Sequence, residues 1–216
     1  MPLGDTAVVV RVGDSLGKVL ATARKLEAAR LPGVVEIAPA FASVALFLET
    51  PQPFDDFAHT IRAALRRRLP AAKLDRPSRL LEVPVCYEPE CGPDLATVVQ
   101  HCRLSPNEIM RCHCRPEYRV RCVGFSPGFP YLSKLPRALA TPRRASPRTE
   151  VPAGSVGIGG AQTGIYPLPS PGGWNIIGRT PLRLFDASRE PAALLQTGDR
   201  VRFFAIDRAE FKRWEK

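Results

Sequence analysis

The sequence predicts an α+β N-terminal domain over residues 1–78, followed by an all-β domain over residues 79–216 folded as a barrel or sandwich. Three observations carry that expectation. The first eighty residues alternate between strand-like and helix-like apolar periods. Pro70 to Ser78 is polar, basic and proline-bearing, as a linker would be. After Tyr118 the chain breaks into short apolar pieces punctuated by Pro and Gly, the pattern of closely spaced strands and turns.

Each element follows from local chemistry. AVVVRV (Ala7 to Val12) is a β-branched run and reads as a strand. Ser15 to Arg30 carries Leu16, Val19, Leu20, Ala23 and Leu26 at helical spacing, and Leu31-Pro32-Gly33 stops it. VVEIA (Val34 to Ala38) and SVALFLE (Ser43 to Glu49) make a strand pair around Pro39. Phe54 to Leu69 reads as a second helix with Phe54, Phe57, Ile61 and Leu65 on one face. This β-α-β-β-α order is that of a small sandwich with both helices on one sheet face. LLEVPVCYE (Leu81 to Glu88) starts the second unit as a strand. Two short helices follow, Pro93 to Cys102 and Ser105 to His113; the second has Ser at its N-cap, Pro at N1 and Glu at N3. YRVRCVGF, SVGI, WNIIG, LRLF and RVRFF supply the remaining apolar strand candidates.

Composition narrows the function classes. At 216 residues and 44% apolar content the chain can bury a full core. No apolar run reaches the roughly eighteen residues of a membrane helix. The opening MPLGDTAVVVRVGD lacks the basic, apolar and small-residue regions of an export signal, so a cytoplasmic protein without a membrane role is expected. All six cysteines fall between Cys86 and Cys122. Their irregular spacing, even around Cys112-His113-Cys114, does not make paired zinc knuckles, so free thiols and no metal are expected.

The formal charge is +10 and the pI about 9.8. Basic residues from Arg62 to Arg79 read as the solvated face and tail of a helix. From Arg119 to Phe185 nine Lys/Arg face a single acid, Glu150, and this stretch also holds most glycine clusters. A positive field over a Gly-rich surface suits a small anionic substrate or an acidic partner protein. Interleaved aromatic RNA-binding motifs are missing, so nucleic acid is not the expected partner.

SVGIGGAQTG (Ser155 to Gly164) poses the question of a phosphate cradle. A dinucleotide fingerprint needs a third glycine where Gln162 stands, and a helix behind it that Pro167, Pro169 and Pro171 forbid. A Walker loop needs Gly-Lys-Ser/Thr, which this stretch does not contain. The glycines therefore belong to a β-rich surface whose backbone comes close to a ligand or to its own neighbours.

Three motifs stand in order: GFSPGFPYL (Gly124 to Leu132), TPRRASPRTEVPAGSVGIGGAQTGIYPLPSPGGW (Thr141 to Trp174) and NIIGRTPLRLFD (Asn175 to Asp186). Together with PLGDTAVVVRVGD and EVPVCYEPECGPDL they resemble the family containing the B component of 5-oxoprolinase, the kinase-inhibitor protein KipI and allophanate hydrolase subunit 1. The same region is similar to one half of the carboxyltransferase domain of urea carboxylase, subdomains C and D. The resemblance implies a small α+β domain followed by a cyclophilin-like β-barrel. It implies a hetero-oligomer with a homologous C component (KipA-like) and an A component (LamB/YcsF-like), cleaving 5-oxoproline to L-glutamate with ATP, and little activity alone. Its other members imply two alternatives: inhibition of a sensor histidine kinase, or half of a carboxyltransferase. Prolyl isomerase activity would rest on the barrel fold alone. Cys91, Cys114 and Cys122 depart from the family's usual residues and leave local thiol chemistry open.

Lactam opening develops negative charge that cations and amide donors must meet. Arg143, Arg144 and Arg148 supply planar forks for a carboxylate or phosphate, and Arg179, inside the strongest motif, is a candidate catalytic cation. Gln162 is a second catalytic candidate, while Ser155, Thr163 and Tyr166 supply hydrogen bonds to substrate. Gly159, Gly160, Gly172 and Gly173 permit close backbone approach beside Trp174. Phe125, Phe129 and Tyr131 are expected as pocket wall or core. His113 has two readings, a general acid/base before the GF motif or an imidazole capping the end of its helix.

Overall fold

The structure is a computed structural model that describes residues 1–67 and 78–214. The chain divides into two compact units, Met1–Pro77 and Ser78–Lys216. The linker expected at Pro70 to Ser78 lies outside the described residues except for Ser78, as do the basic residues Arg68, Lys73 and Arg76.

In the first unit β1 (Ala7–Arg11), β2 (Val34–Ala40) and β3 (Ser43–Leu48) form an antiparallel sheet in the order β1-β3-β2. Two helices complete it, α1 (Leu16–Ala29) and α2 (Phe54–Arg66). The Ser15 hydroxyl accepts from Lys18 N–H at the start of α1, and Arg30 ends it in the left-handed region at φ 47°. Val19, Ala23 and Leu26 of α1 join Phe57 and Ile61 of α2 over Val44 and Leu46, giving this unit its own core. Strand β2 runs on through Pro39 to Ala40 instead of breaking there. Being an edge strand, it tolerates a residue with no N–H.

The second unit is built on a closed seven-strand barrel in the order β11-β4-β12-β5-β6-β9-β8. Its strands are β4 (Leu80–Cys86), β5 (Tyr118–Val123), β6 (Pro130–Ser133), β8 (Ser155–Gly159), β9 (Gln162–Ile165), β11 (Asn175–Arg179) and β12 (Arg200–Ile206). All neighbours are antiparallel except β12 and β4, which pair in parallel from Arg200↔Leu80 to Ile206↔Cys86. A separate ribbon joins β7 (Arg148–Val151) to β10 (Ser170–Gly172). Inward-facing Val83, Val85, Val120, Ile158, Ile177 and Phe203 fill the barrel. Each such fully buried side chain contributes roughly 1.5–3 kcal/mol.

Helices α3 (Leu95–Cys102) and α4 (Pro106–Cys114) follow β4, and a third, α5 (Arg208–Trp214), packs near it. The barrel is the expected one, but "all-β" describes its sheet and not these helices. The box read from the sequence is present at α4: the Ser105 hydroxyl accepts from Glu108 N–H, and the Glu108 carboxylate accepts from Ser105 N–H at 2.8 Å. LRLF is not a strand. Pro181 removes a ladder donor just after β11, and only Phe185 bridges Ala193. The six cysteines are free thiols, Cys86 and Cys122 buried. Among the described residues no helix is long and apolar enough to cross a membrane.

Candidate functional site

A cleft of about 280 Å³ opens beside the barrel, over a small second core of Phe129, Val151, Tyr166, Trp174 and Ile176. Its aromatic lining is Phe125, Phe129, Tyr131, Tyr166 and Trp174. These rings meet edge to face, with centroids 4.9 Å apart for Phe129–Tyr131, 5.1 Å for Phe129–Tyr166 and 5.5 Å for Phe129–Trp174. Arg143, Arg144, Gly172 and Gly173 complete the part that the sequence predicted, and Pro147 and Pro171 add two walls that it did not. Burial raises the phenol pKa of both Tyr131 and Tyr166, so both stay neutral donors near neutral pH.

The two arginines differ in what holds them. Arg144 is tied down at both ends: its N–H donates to Gly173 O at 2.8 Å and its Nη1 to Asp94 Oδ1 at 2.8 Å. Arg143 has no carboxylate partner among the described residues. Its guanidinium carbon lies 5.8 Å from the Trp174 ring centroid, a cation–π distance. The backbone that carries it is fixed on both sides, by Asn175 Nδ2 donating to Pro142 O at 2.8 Å and by the Arg144–Gly173 bond. An exposed cation therefore stands on an anchored loop at the edge of an aromatic pocket. Arg143 and Arg144 also wall a second hollow of about 490 Å³ that contains Thr97, His101 and Ser146.

Asp94, which sequence reasoning missed, organises this region. Besides Arg144 it takes a two-pronged bond from Arg148, and Oδ2 accepts from Ile176 N–H at 2.8 Å. Burial alone would raise its pKa, but the bonds from Arg148 and Ile176 and the two positive charges outweigh that and hold it below the ordinary value. Arg148 is thus engaged by a carboxylate of its own chain. The signal that could have found Asp94 is an acid placed just before α3 in a unit whose other half is almost purely basic.

The remaining predicted residues do not converge on the cleft. His113 is fully buried and its pKa is pushed down to about 3 by that burial. Thr163 donates its hydroxyl proton to Gly157 O, so it can only accept from His113 Nε2–H, at 3.0 Å. Nδ1 then accepts from Tyr87 O–H at 2.7 Å. The ring also stacks on Phe203 at 4.5 Å. These bonds overturn both readings of His113: it is neither an accessible acid/base nor a helix cap, but a satisfied core histidine. Thr163 and Ser155 are likewise buried and unavailable to a substrate, which corrects their assignment as ligand contacts.

Gln162 and Arg179 pair with Gly159 and Ser155, at opposite ends of β8. That separates them by roughly 13 Å along the strand. Arg179 donates Nε to Ala153 O at 2.9 Å and stacks over Phe211, so with His113 in the core the three proposed catalytic residues share no site. The glycine question also resolves. A Cβ on Gly159 would stand 2.5 Å from the Trp174 ring, one on Gly164 3.0 Å from Phe129, and one on Gly172 would strike Tyr166. These glycines make room for aromatic rings, while Gly160, at φ +63°, turns the β8–β9 hairpin.

Residues 1–195 match the family described as the carboxyltransferase domain, subdomain C and D. The chain is 44% identical over 206 residues to the 5-oxoprolinase B component of Escherichia coli O157:H7, covering 93% of each. It is 39% identical over 230 residues to the 5-oxoprolinase B component of Bacillus subtilis (strain 168), covering 99% of this chain and 95% of that one. The crystal structure of TTHA0988 is similar with a TM-score of 0.78 at 36% identity over 93% of this chain, which spans 40% of that longer chain. The Kluyveromyces lactis urea carboxylase shares the fold alone, at TM-score 0.72 and 18% identity over 98% of this chain and 22% of its own.

Proposed function

The chain belongs to the carboxyltransferase domain, subdomain C and D, family, and from that membership we propose that it is the B component of an ATP-dependent 5-oxoprolinase. In this reading it cleaves 5-oxoproline to L-glutamate together with the A and C components and does little alone. One observation carries the proposal: near full-length identity of 39–44% to proteins that bear that name. The carboxyltransferase alternative shares the family description, but the urea carboxylase it is drawn from is only 18% identical and speaks to fold only.

The cleft supports a small anionic substrate. At about 280 Å³ it lies just under the ~300–1,000 Å³ typical of drug-sized ligands. ATP supplies the driving force for lactam opening, but the stretch read as a possible phosphate cradle does not offer one. Its glycine-rich stretch is filled by Trp174 and Phe129, and Arg144 and Arg148 are engaged by Asp94. In this reading ATP acts in the assembled complex.

The test is co-expression with candidate A and C components, followed by an assay of glutamate release from 5-oxoproline with and without ATP. ATP-dependent release that disappears when this chain is omitted is expected. No release from a correctly assembled complex rejects the reading.

A further inference from the structure

We infer that the aromatic cleft is the subsite for the 5-oxoproline ring and carboxylate, with Arg143 as the carboxylate-binding group; this rests on the 5-oxoprolinase reading. A five-membered lactam acid has two faces of differing chemistry: a flat, largely apolar ring and one negative charge. The cleft matches both. Phe125 and the half-buried Tyr131 offer ring surface to a flat guest over a buried floor of Phe129, Tyr166 and Trp174, and Arg143 stands at the mouth with its charge uncommitted to any carboxylate of the described chain.

Three features show a site held ready rather than a gap in packing. The Arg143 loop is pinned through Asn175 and Gly173. The neighbouring Arg144 is held by Asp94 yet keeps its Nε buried and without a partner. At the rim Phe125 adopts φ +75°, a left-handed backbone that non-glycine residues rarely take, and leaves its side chain 63% exposed over Phe129. Strain of this kind survives where surrounding structure enforces it and clusters at ligand sites. The loop backbone that carries Arg143 is fixed beforehand, so less conformational freedom is lost on binding.

The experiment uses the W214F full chain, in which Trp174 is the one remaining tryptophan of two. Titration with 5-oxoproline is expected to change Trp174 fluorescence saturably. 5-Oxoprolinamide, which lacks the charge, is expected to bind at least tenfold more weakly, and R143Q to lose at least tenfold for 5-oxoproline but not for the amide, with an unchanged unfolding midpoint. The same binding is measured with isotope-labelled 5-oxoproline on the assembled complex without ATP. Equal affinity for acid and amide, or R143Q binding like wild type in both preparations, overturns the inference. Hydrolysis by the complex with no Arg143-dependent binding leaves the 5-oxoprolinase reading standing and removes this subsite. Binding by the chain in a complex that releases no glutamate does the reverse.

Discussion

Arg148 grips Asp94 with both prongs, Nη1 to Oδ2 at 2.7 Å and Nη2 to Oδ1 at 2.8 Å. The bond spans 54 residues of sequence and ties the ribbon strand β7 to the start of α3. Arg144 and Ile176 N–H converge on the same carboxylate, so one buried side chain sets the loop that presents Arg143.

D94N is therefore expected to lower unfolding free energy by about 2–4 kcal/mol at pH 7, less than a fully buried pair because both arginines are a quarter to a third exposed. The folded carboxyl pKa lies below the unfolded value near 3.9. Its contribution is complete above that value and is lost as pH falls through the lowered one. Urea unfolding of both proteins from pH 7 to pH 2.5 checks this: their curves should approach each other only below about pH 4.

His113 predicts a different acid dependence. Its folded pKa of about 3 lies below the ordinary 6.5, so the unfolded chain takes up the proton first as pH falls. Stability is full above pH 6.5 and declines towards pH 3, by at most about 1.4 kcal/mol per pH unit from this group. H113Q leaves Tyr87 or Thr163 short of a partner and costs about 1–3 kcal/mol at pH 7. The gap between wild type and H113Q should narrow at pH 5. An unchanged gap would show that the imidazole is not held neutral.

What is legible in the sequence is what local chemistry decides. The box at Ser105 and Glu108 needs only four consecutive residues, and α4 forms where they place it. A matching signal went unused at the C-terminal end: Asp207 Oδ1 accepts from Glu210 N–H at 2.7 Å and caps α5. The aromatic cleft is legible because its rings crowd into two short motifs. The inward turn of His113 is not, since a helical histidine points to core or solvent according to partners such as Tyr87 and Thr163, far away in sequence. Arg148 looks like a free fork for the same reason: Asp94 can be matched to it only once the barrel is closed.

The glycines of the hairpin yield a packing prediction. G159A brings a methyl to 2.5 Å from the Trp174 ring and must displace the indole, at a cost of about 1–3 kcal/mol. G160A meets no atom within 4 Å, but it carries the strain of φ +63°, about 1 kcal/mol. Trp174 emission, read in the W214F background, should shift in G159A and stay put in G160A. Equal spectra would mean that Gly159 does not seat the ring.

Phe125 separates stability from binding. A non-glycine residue in the left-handed region costs on the order of 1–3 kcal/mol, and this side chain is too exposed to recover much by burial. F125G relieves that strain but adds about 0.5–1 kcal/mol of unfolded-chain entropy to be lost on folding. Net stability should consequently stay level or rise by up to about 2 kcal/mol. Affinity for 5-oxoproline should fall, because the rim ring that faces Phe129 at 5.6 Å and Tyr166 at 6.5 Å is gone. Denaturant midpoints and the Trp174 titration on one preparation decide the matter. A variant that loses stability while keeping its affinity would make Phe125 a packing residue, and the strain at the rim would have no connection with a ligand.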